Sequence, residues 1–145
     1  MSATGLDAFD RTIQKTNLWL QAVEEELGVE SKHQAYHLLR VVLHEVRDRL
    51  PMPQTAHLGA QLPTLLRGVY YDSWSPSLKG SKEHREEFLL HIAAEIDPAL
   101  NLSAEAVAKG VFRVISQKVD AGEIRQIVQT MPKDLQSLWL GKAAA

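Results

Sequence analysis

The chain of 145 residues contains no cysteine. Disulfides, thiolate nucleophiles and cysteine-ligated zinc or iron–sulfur clusters are therefore excluded. A formal net charge of −2 gives the chain no general attraction to nucleic acid or to an anionic membrane. No segment approaches the roughly 18 uninterrupted apolar residues of a membrane span. Residues 1–12 also lack the basic start and apolar run of a secretory signal, so we expect a cytoplasmic protein.

Apolar residues recur at three- and four-residue intervals along nearly the whole chain, which is the pattern of amphipathic helices. The pattern breaks at residues that favour helix ends and turns: Gly28, Pro51, Pro53, Pro63, Pro98 and Pro132. Pro63 is expected to begin a helix in its first turn, and Ser103 is expected to cap one. No segment shows the sustained alternation of a strand, so the sequence predicts an all-α fold.

The apolar pattern also recurs at a fixed offset along the chain. The position numbers of Leu62-Pro63 and Met131-Pro132 differ by 131 − 62 = 69. The same offset pairs further apolar positions: Trp19 with Phe88, Val23 with Ile92, Val42 with Val111, Val46 with Ile115, Leu66 with Leu135, and Tyr70 with Trp139. Generic helical periodicity would align one stripe by chance. Several stripes and a proline in step favour a duplication, and only core-forming positions recur.

The predicted architecture is therefore a tandem duplication of one helical unit, packed as one compact body. Residues 6–74 form the first repeat and residues 83–141 the second. Residues 75–82 form a linker with proline, glycine and serine and little apolar content. Each unit has two longer helices followed by a short pair broken at Pro63 or Pro132. Units of this kind usually share a core.

Three stretches carry a resemblance to a known family. They are HLGAQLPTLLRGVYYDSW (57–74), MPKDLQSLW (131–139) and FDRTIQKTNLWL (9–20). Together they resemble a bacterial family known as domain of unknown function 2267, from about Phe9 to Trp139. The resemblance implies an all-helical, duplicated fold. It implies no activity, catalytic residue or cofactor.

His33, His37 and His44 are the candidate metal ligands. At about 100° per residue, His37 and His44 lie only about 40° and 20° round the helix from His33, so all three share one face. Two imidazoles four residues apart can bind one zinc, copper or nickel ion. No HExxH motif accompanies them, and the opposite face is apolar. We therefore expect a solvated histidine face, with no metal and no other cofactor.

A second polar cluster combines Glu87, His91 and Glu95 at four-residue spacing. Di-iron sites in helical bundles usually use Glu-x-x-His on two helices, and that spacing is absent here. Surface ion pairs with lysine or arginine of a neighbouring segment are the favoured interpretation.

No catalytic or nucleotide motif is present. Asp72-Ser73 lies outside any GxSxG elbow, and a turn in which both residues satisfy backbone groups is the favoured interpretation. The glycines form neither GxGxxG nor a P-loop. The sequence therefore predicts that the chain is not an enzyme.

Arginines make the first half locally basic: Arg40, Arg47, Arg49 and Arg67. They could contact phosphate, but Glu45 and Asp48 interrupt the positive field. We therefore expect a mixed, solvated surface and do not expect nucleic acid to be the partner.

Tyr71 and Trp74 are the candidate interaction residues. Both fall past the last predicted helix of the first unit, where the second unit has no aromatic counterpart. They are expected either to cover the junction between the halves, which we favour, or to offer an exposed amphipathic patch to a partner.

The predicted function is a non-enzymatic interaction protein that binds a protein partner, or a second copy of itself, through helical faces. A metal- or small-ligand-binding protein is the alternative, using the face of His33, His37 and His44 or a pocket between the repeats. Nucleic-acid binding through the arginines is the third possibility. No membrane is expected among the partners.

Overall fold

The computed structural model of the chain describes residues 2–76 and 85–140. Within these ranges the chain forms α-helices and one short 3-10 helix, and it forms no strand. The helices are α1 (Asp7–Leu27), α2 (Lys32–Arg47), α3 (Met52–Ala60), α4 (Thr64–Tyr71), α5 (Arg85–Ala94), α6 (Ala104–Lys118), α7 (Ala121–Gln129) and α8 (Lys133–Leu140). The 3-10 helix, Pro98–Leu100, lies between α5 and α6. The predicted all-α fold is confirmed.

The local signals in the sequence set several helix ends. Gly28 ends α1 in the left-handed conformation at φ 70°, and its N–H donates to the carbonyl of Glu24 at 2.8 Å. Ser31 and Ser103 cap α2 and α6, because each Oγ accepts from the backbone N–H three residues later, at 3.3 and 3.0 Å. The predicted cap at Ser103 is therefore confirmed.

Pro63 lies one position outside the helix that we expected it to begin. It is the N-cap residue of α4, with φ −55° and ψ 148°, and the helix itself begins at Thr64. Pro51 occupies the same position before α3. Of the predicted linker, only residues 75 and 76 belong to the described part of the chain, and residues 77–82 lie outside it.

Helices α2 and α6 occupy the centre of the fold and contact each other. Helix α1 packs on α6, α2 and α4, whereas α5 packs on α2 and α6. Helix α4 lies on α2, α8 lies on α6, and α3 contacts α7. No helix in the described ranges is long and apolar enough to cross a membrane.

The central position of α2 changes how its sequence must be interpreted. Its buried residues surround most of the helix axis: Ala35, Leu38, Leu39, Val41, Val42, Leu43, Val46 and Arg47. A helix that is apolar on most sides is an interior helix. The polar side chains of His44 and Arg47 therefore face a neighbouring helix, whereas His33 lies on an exposed surface, as we expected.

Aromatic side chains fill the core beside α6 and α4. The rings of Phe88 and Trp139 lie 6.2 and 4.2 Å, centroid to centroid, from the ring of Phe112. Tyr70 is fully buried, and its hydroxyl donates to the carbonyl of Thr55 at 2.7 Å. Burial raises the pKa of Tyr70, so this phenol stays protonated and serves as a structural donor.

Candidate functional site

His44 joins α2 to α4. Its Nε2–H donates to the carbonyl of Val69 at 2.7 Å, which leaves Nδ1 without the proton. Burial, the largest cause, lowers the pKa of His44, and the hydrogen bond to Val69 opposes that shift. The imidazole is therefore neutral at pH 7, and it ties the last turn of α4 to the central helix.

His33, His37 and His44 are not gathered into one set of metal ligands. His37 points towards the end of α5, where its Nε2–H donates to the carbonyl of Glu95 at 3.0 Å. His33 is exposed. Within residues 2–76 and 85–140, no three His, Cys, Asp or Glu side chains are placed to hold a metal ion. His37 and His44 instead bond to two different neighbouring segments.

The second polar cluster forms a seam between α2 and α5. Each of its members pairs with a residue of α2 or of the turn after it: Glu87 with Arg49 (3.4 Å), His91 with Glu45 (3.0 Å) and Glu95 with His37 (3.6 Å). The predicted ion pairing with a neighbouring segment is found. Only Arg49, however, is a partner of the expected kind, and the other two pairs join histidine to glutamate.

The arginines of the first half do not form a solvated basic face. Arg47 is only 4% exposed. Its guanidinium donates to the carbonyls of Tyr70 and Asp72, at 2.8 and 3.0 Å, and pairs with the Asp48 carboxylate at 2.9 Å. These bonds satisfy carbonyls at the C-terminal end of α4, which lack partners within the helix. The prediction of a mixed, solvated surface was wrong at Arg47 because α4 packs over it.

The remaining arginines are also used within the fold. Arg67 donates to the carbonyls of Gly59 and Leu62 at 2.9 and 3.0 Å, and so completes the end of α3. Arg40 pairs with Asp72 at 3.4 Å on the surface. The guanidinium of Arg49 lies 5.3 Å from the centre of the Phe88 ring. The geometry therefore does not gather these cations into one phosphate-binding surface.

Tyr71 is the last residue of α4, so the prediction that it lies past this helix was wrong, and only Trp74 lies beyond the helix end. A Cβ built on Gly59 of α3 would lie 2.6 Å from the Tyr71 hydroxyl, so the absence of a side chain there makes room for the ring. The Trp74 ring lies 5.5 Å from the Tyr71 ring, and both residues are half-buried. The turn between them holds Ser73 at φ 65°. Tyr71 therefore packs at the contact between α3 and α4, and Trp74 lies beside its ring.

A pocket of about 440 Å³ lies between the start of α2 and the segment after α5. Its floor is apolar and its rim is polar, with His33, His37, Leu38, Ile96, Asp97 and Leu100 among the lining residues. No lysine or arginine of the described ranges lines this pocket. The rim carboxylates already have partners, because Asp97 accepts from the N–H of Ala99 and Glu95 faces His37.

A second groove, of about 330 Å³, lies where α1, the turn before α4 and the end of α6 meet. Its lining includes the apolar residues Leu18, Trp19 and Leu62 and the cationic residues Lys15 and Lys118. None of the lining residues in the described part of the chain is an aspartate or a glutamate. We call this the lysine groove.

The N-terminal end of α1 carries the third notable surface. Its apolar stripe is buried from Thr16 onwards, but Leu6 and Phe9 are 49% and 57% exposed. Leu65, also exposed, lies in the first turn of α4 beside this end, because its N–H donates to Thr12 Oγ1 at 2.8 Å. We call Leu6, Phe9 and Leu65 the α1 end patch.

The comparisons with known proteins identify a family but no functional site. The family described as "Uncharacterized conserved protein (DUF2267)" matches residues 16–138. The chain belongs to the DUF2267 family. No curated protein matches it. The DUF2267 match covers Thr16 to Leu138, so it includes the core except for Trp139, the 440 Å³ pocket and Lys118, whereas Phe9 and Lys15 lie before it.

The lysine groove was not predicted from the sequence. Lys15 and Lys118 are ordinary exposed lysines in different halves of the chain, and no motif joins them. A signal was nevertheless present in the DUF2267 sequence. The offset of 69 pairs position 18 with position 87 and position 49 with position 118. Arg49 is thus matched by another cation, Lys118, whereas Glu87 is matched by Leu18, which carries no charge.

Proposed function

We propose that the chain is a helical interaction protein without a catalytic role, acting in the cytoplasm, which binds a protein partner or a second copy of itself through apolar helical faces. The α1 end patch carries this proposal. Leu6 and Phe9 continue the core-facing stripe of α1 towards its N-terminal end, where the described part of the chain leaves both side chains about half exposed.

The energetics of the patch favour a partner. Covering a phenylalanine or leucine side chain contributes about 1.5–3 kcal/mol for each side chain fully removed from water. The patch has large apolar side chains on two helices, because α4 brings Leu65 beside α1. A helix with an apolar stripe would pack on such a surface in the same way as helices pack within the core.

We also propose that the fold arose by tandem duplication of a unit, with repeats at 6–74 and 83–141. Helix bounds support this, because the first positions of α3 and α7 differ by 121 − 52 = 69, and those of α4 and α8 differ by 133 − 64 = 69. Packing supports it as well. Helix α1 lies on α6 as α5 lies on α2, and α4 lies on α2 as α8 lies on α6.

The test is sedimentation velocity over a range of concentrations, combined with affinity capture from the native cell at physiological salt. Phe9→Ser is the variant, and Leu90→Ser is the matched control, because Leu90 is 64% exposed on α5. We expect self-association, or a specific captured partner, that Phe9→Ser abolishes and Leu90→Ser retains. A monomer at every concentration, with no partner sensitive to Phe9→Ser, contradicts the proposal.

Of the alternatives, small-ligand binding has specific support from the pockets. The metal alternative has none in the geometry, because His37 and His44 each use Nε2–H for a carbonyl of a different segment. The nucleic-acid alternative has none either, because Arg47 and Arg67 donate to helix carbonyls. For the protein interaction, we propose the α1 end patch in place of Tyr71 and Trp74, because these two aromatic residues are half-buried whereas Leu6 and Phe9 are exposed.

A further inference from the structure

The lysine groove combines an apolar wall with uncompensated positive charge. Lys15 and Lys118 both line it, and no carboxylate of the described residues pairs with either ammonium group. The apolar wall includes Leu18, which is 54% exposed, beside the largely buried Trp19. Among the described residues, the exposed leucine and the two lysines of this groove thus leave both apolar surface and positive charge without a partner.

Elsewhere in the chain, a similar set of residues has a carboxylate paired with its cation. The offset of 69 relates three groove positions to three positions between α2 and α5: Leu18 to Glu87, Trp19 to Phe88, and Lys118 to Arg49. There Arg49 pairs with Glu87 at 3.4 Å and lies over the Phe88 ring. In the groove the aromatic and the cation are kept, but leucine replaces the carboxylate.

That replacement changes the chemistry of the site in two ways. The cation of the groove loses the internal counter-ion that its counterpart has. The leucine adds apolar surface at the place where the carboxylate would lie. A molecule that restores the negative charge and covers the leucine would match both changes, because an anionic head pairs with ammonium groups and an apolar chain is driven out of water.

We propose that the lysine groove binds an amphiphilic organic anion, with its charged head between Lys15 and Lys118 and its unbranched apolar chain along Leu18 and Trp19. A groove of about 330 Å³ lies within the range of small-ligand sites. It suits a short to medium chain. This binding goes beyond the proposed protein interaction and is independent of the α1 end patch.

The test is a titration of the labelled full chain with decanoate below its micelle concentration, followed by two-dimensional ¹H–¹⁵N NMR. Decyl phosphate distinguishes the head group. Decanol and decyltrimethylammonium keep the chain without the negative charge, and acetate keeps the charge without the chain. We expect saturable shifts centred on the Trp19 indole N–H. Decanoate or decyl phosphate should bind roughly three- to tenfold more tightly than decanol, a margin that shrinks in high salt.

The decisive variant is Leu18→Glu, which gives Lys118 the carboxylate that Glu87 gives Arg49. It should weaken anion binding at least about tenfold, since it removes apolar surface and adds repulsion. Leu90→Glu is the matched control at another exposed leucine and should leave binding unchanged. Should Leu18→Glu lower the melting temperature strongly, Lys118→Gln carries the test, with Lys133→Gln as its control.

Three results would overturn the proposal: no saturable shift with either anion, equally tight binding of decanol or decyltrimethylammonium, or binding unaffected by Leu18→Glu and by Lys118→Gln. Phe9→Ser should leave anion binding intact. If that variant loses self-association or partner capture but still binds the anion, the protein interaction and the anion binding are shown to be independent.

Discussion

Replacing the buried guanidinium of Arg47 should destabilise the fold more than any change at an exposed arginine. Arg47→Met keeps the length and apolar stem of the side chain but removes the donors to Tyr70 and Asp72 and the partner of Asp48. Two helix carbonyls and one carboxylate then lose their bonds. The helix most affected is α4, whose C-terminal end these donors hold on α2.

The expected loss in the free energy of unfolding depends on the acceptor groups that Arg47→Met leaves without a donor. A buried acceptor without a partner costs about 1–3 kcal/mol, and breaking a buried ion pair costs about 3–5 kcal/mol. Asp48 remains 24% exposed in its side chain, so water recovers part of the loss. We therefore expect about 3 kcal/mol, which corresponds to a fall in melting temperature of roughly 6–12 °C for a chain of this size.

The assay is urea unfolding followed by circular dichroism, with Arg40→Met as the control. Arg40 makes a surface pair with Asp72, whose side chain is 64% exposed, so its loss should cost about 0–1 kcal/mol. The double variant Arg47→Met with Asp48→Asn should recover part of the stability, because no carboxylate is then left unpaired. A difference below about 1 kcal/mol between the Arg47 and Arg40 variants would refute the reasoning.

Three further predictions concern His44, Gly59 and Tyr70. The pKa of His44 lies below 6.5 in the folded chain, so the unfolded chain binds the proton more readily. Stability is then unaffected above about pH 7.5 and falls as the pH drops through 6.5. His44→Gln keeps a donor for Val69, and the pH dependence of unfolding should weaken in that variant; identical slopes would contradict this. Gly59→Ala should cost about 1–2 kcal/mol by displacing the Tyr71 ring and should change tryptophan fluorescence. Gly68→Ala, with open space around it in α4, should instead raise the free energy of unfolding by up to about 1 kcal/mol. Equal changes in the two variants would contradict the steric explanation. Tyr70→Phe should cost about 1–2 kcal/mol in urea unfolding, because the Thr55 carbonyl loses its donor; a neutral result would show that water replaces the hydroxyl.

The helical content and several helix ends could be predicted because they depend on local chemistry. Gly28 needs only its own freedom at positive φ, and Ser103 needs only the N–H three residues later. The core positions were also within reach, since Tyr70 and Trp139 follow from apolar spacing and both are buried.

The polar residues of α2 could not be placed from the sequence. Periodicity identifies the most apolar face of a helix, but it does not say whether a neighbouring helix covers the opposite face. His44 and Arg47 bond to carbonyls 25 and 23 residues away along the chain. Every residue has a backbone carbonyl, so the sequence does not show which carbonyls need a partner. A polar residue that donates to a carbonyl therefore has the same sequence pattern as a polar residue that faces water.

The way in which α1 and α6 pack has a consequence for synthesis on the ribosome. Helix α1 ends at Leu27, whereas the helix on which it packs most extensively begins only at Ala104, after α2 to α5 have been made. At about 5–20 residues per second, several seconds pass before α6 is made. The apolar face of α1, including Trp19 and Val23, lacks its main cover throughout that interval. A nascent chain halted before residue 104 should therefore bind chaperones more strongly than the full-length chain.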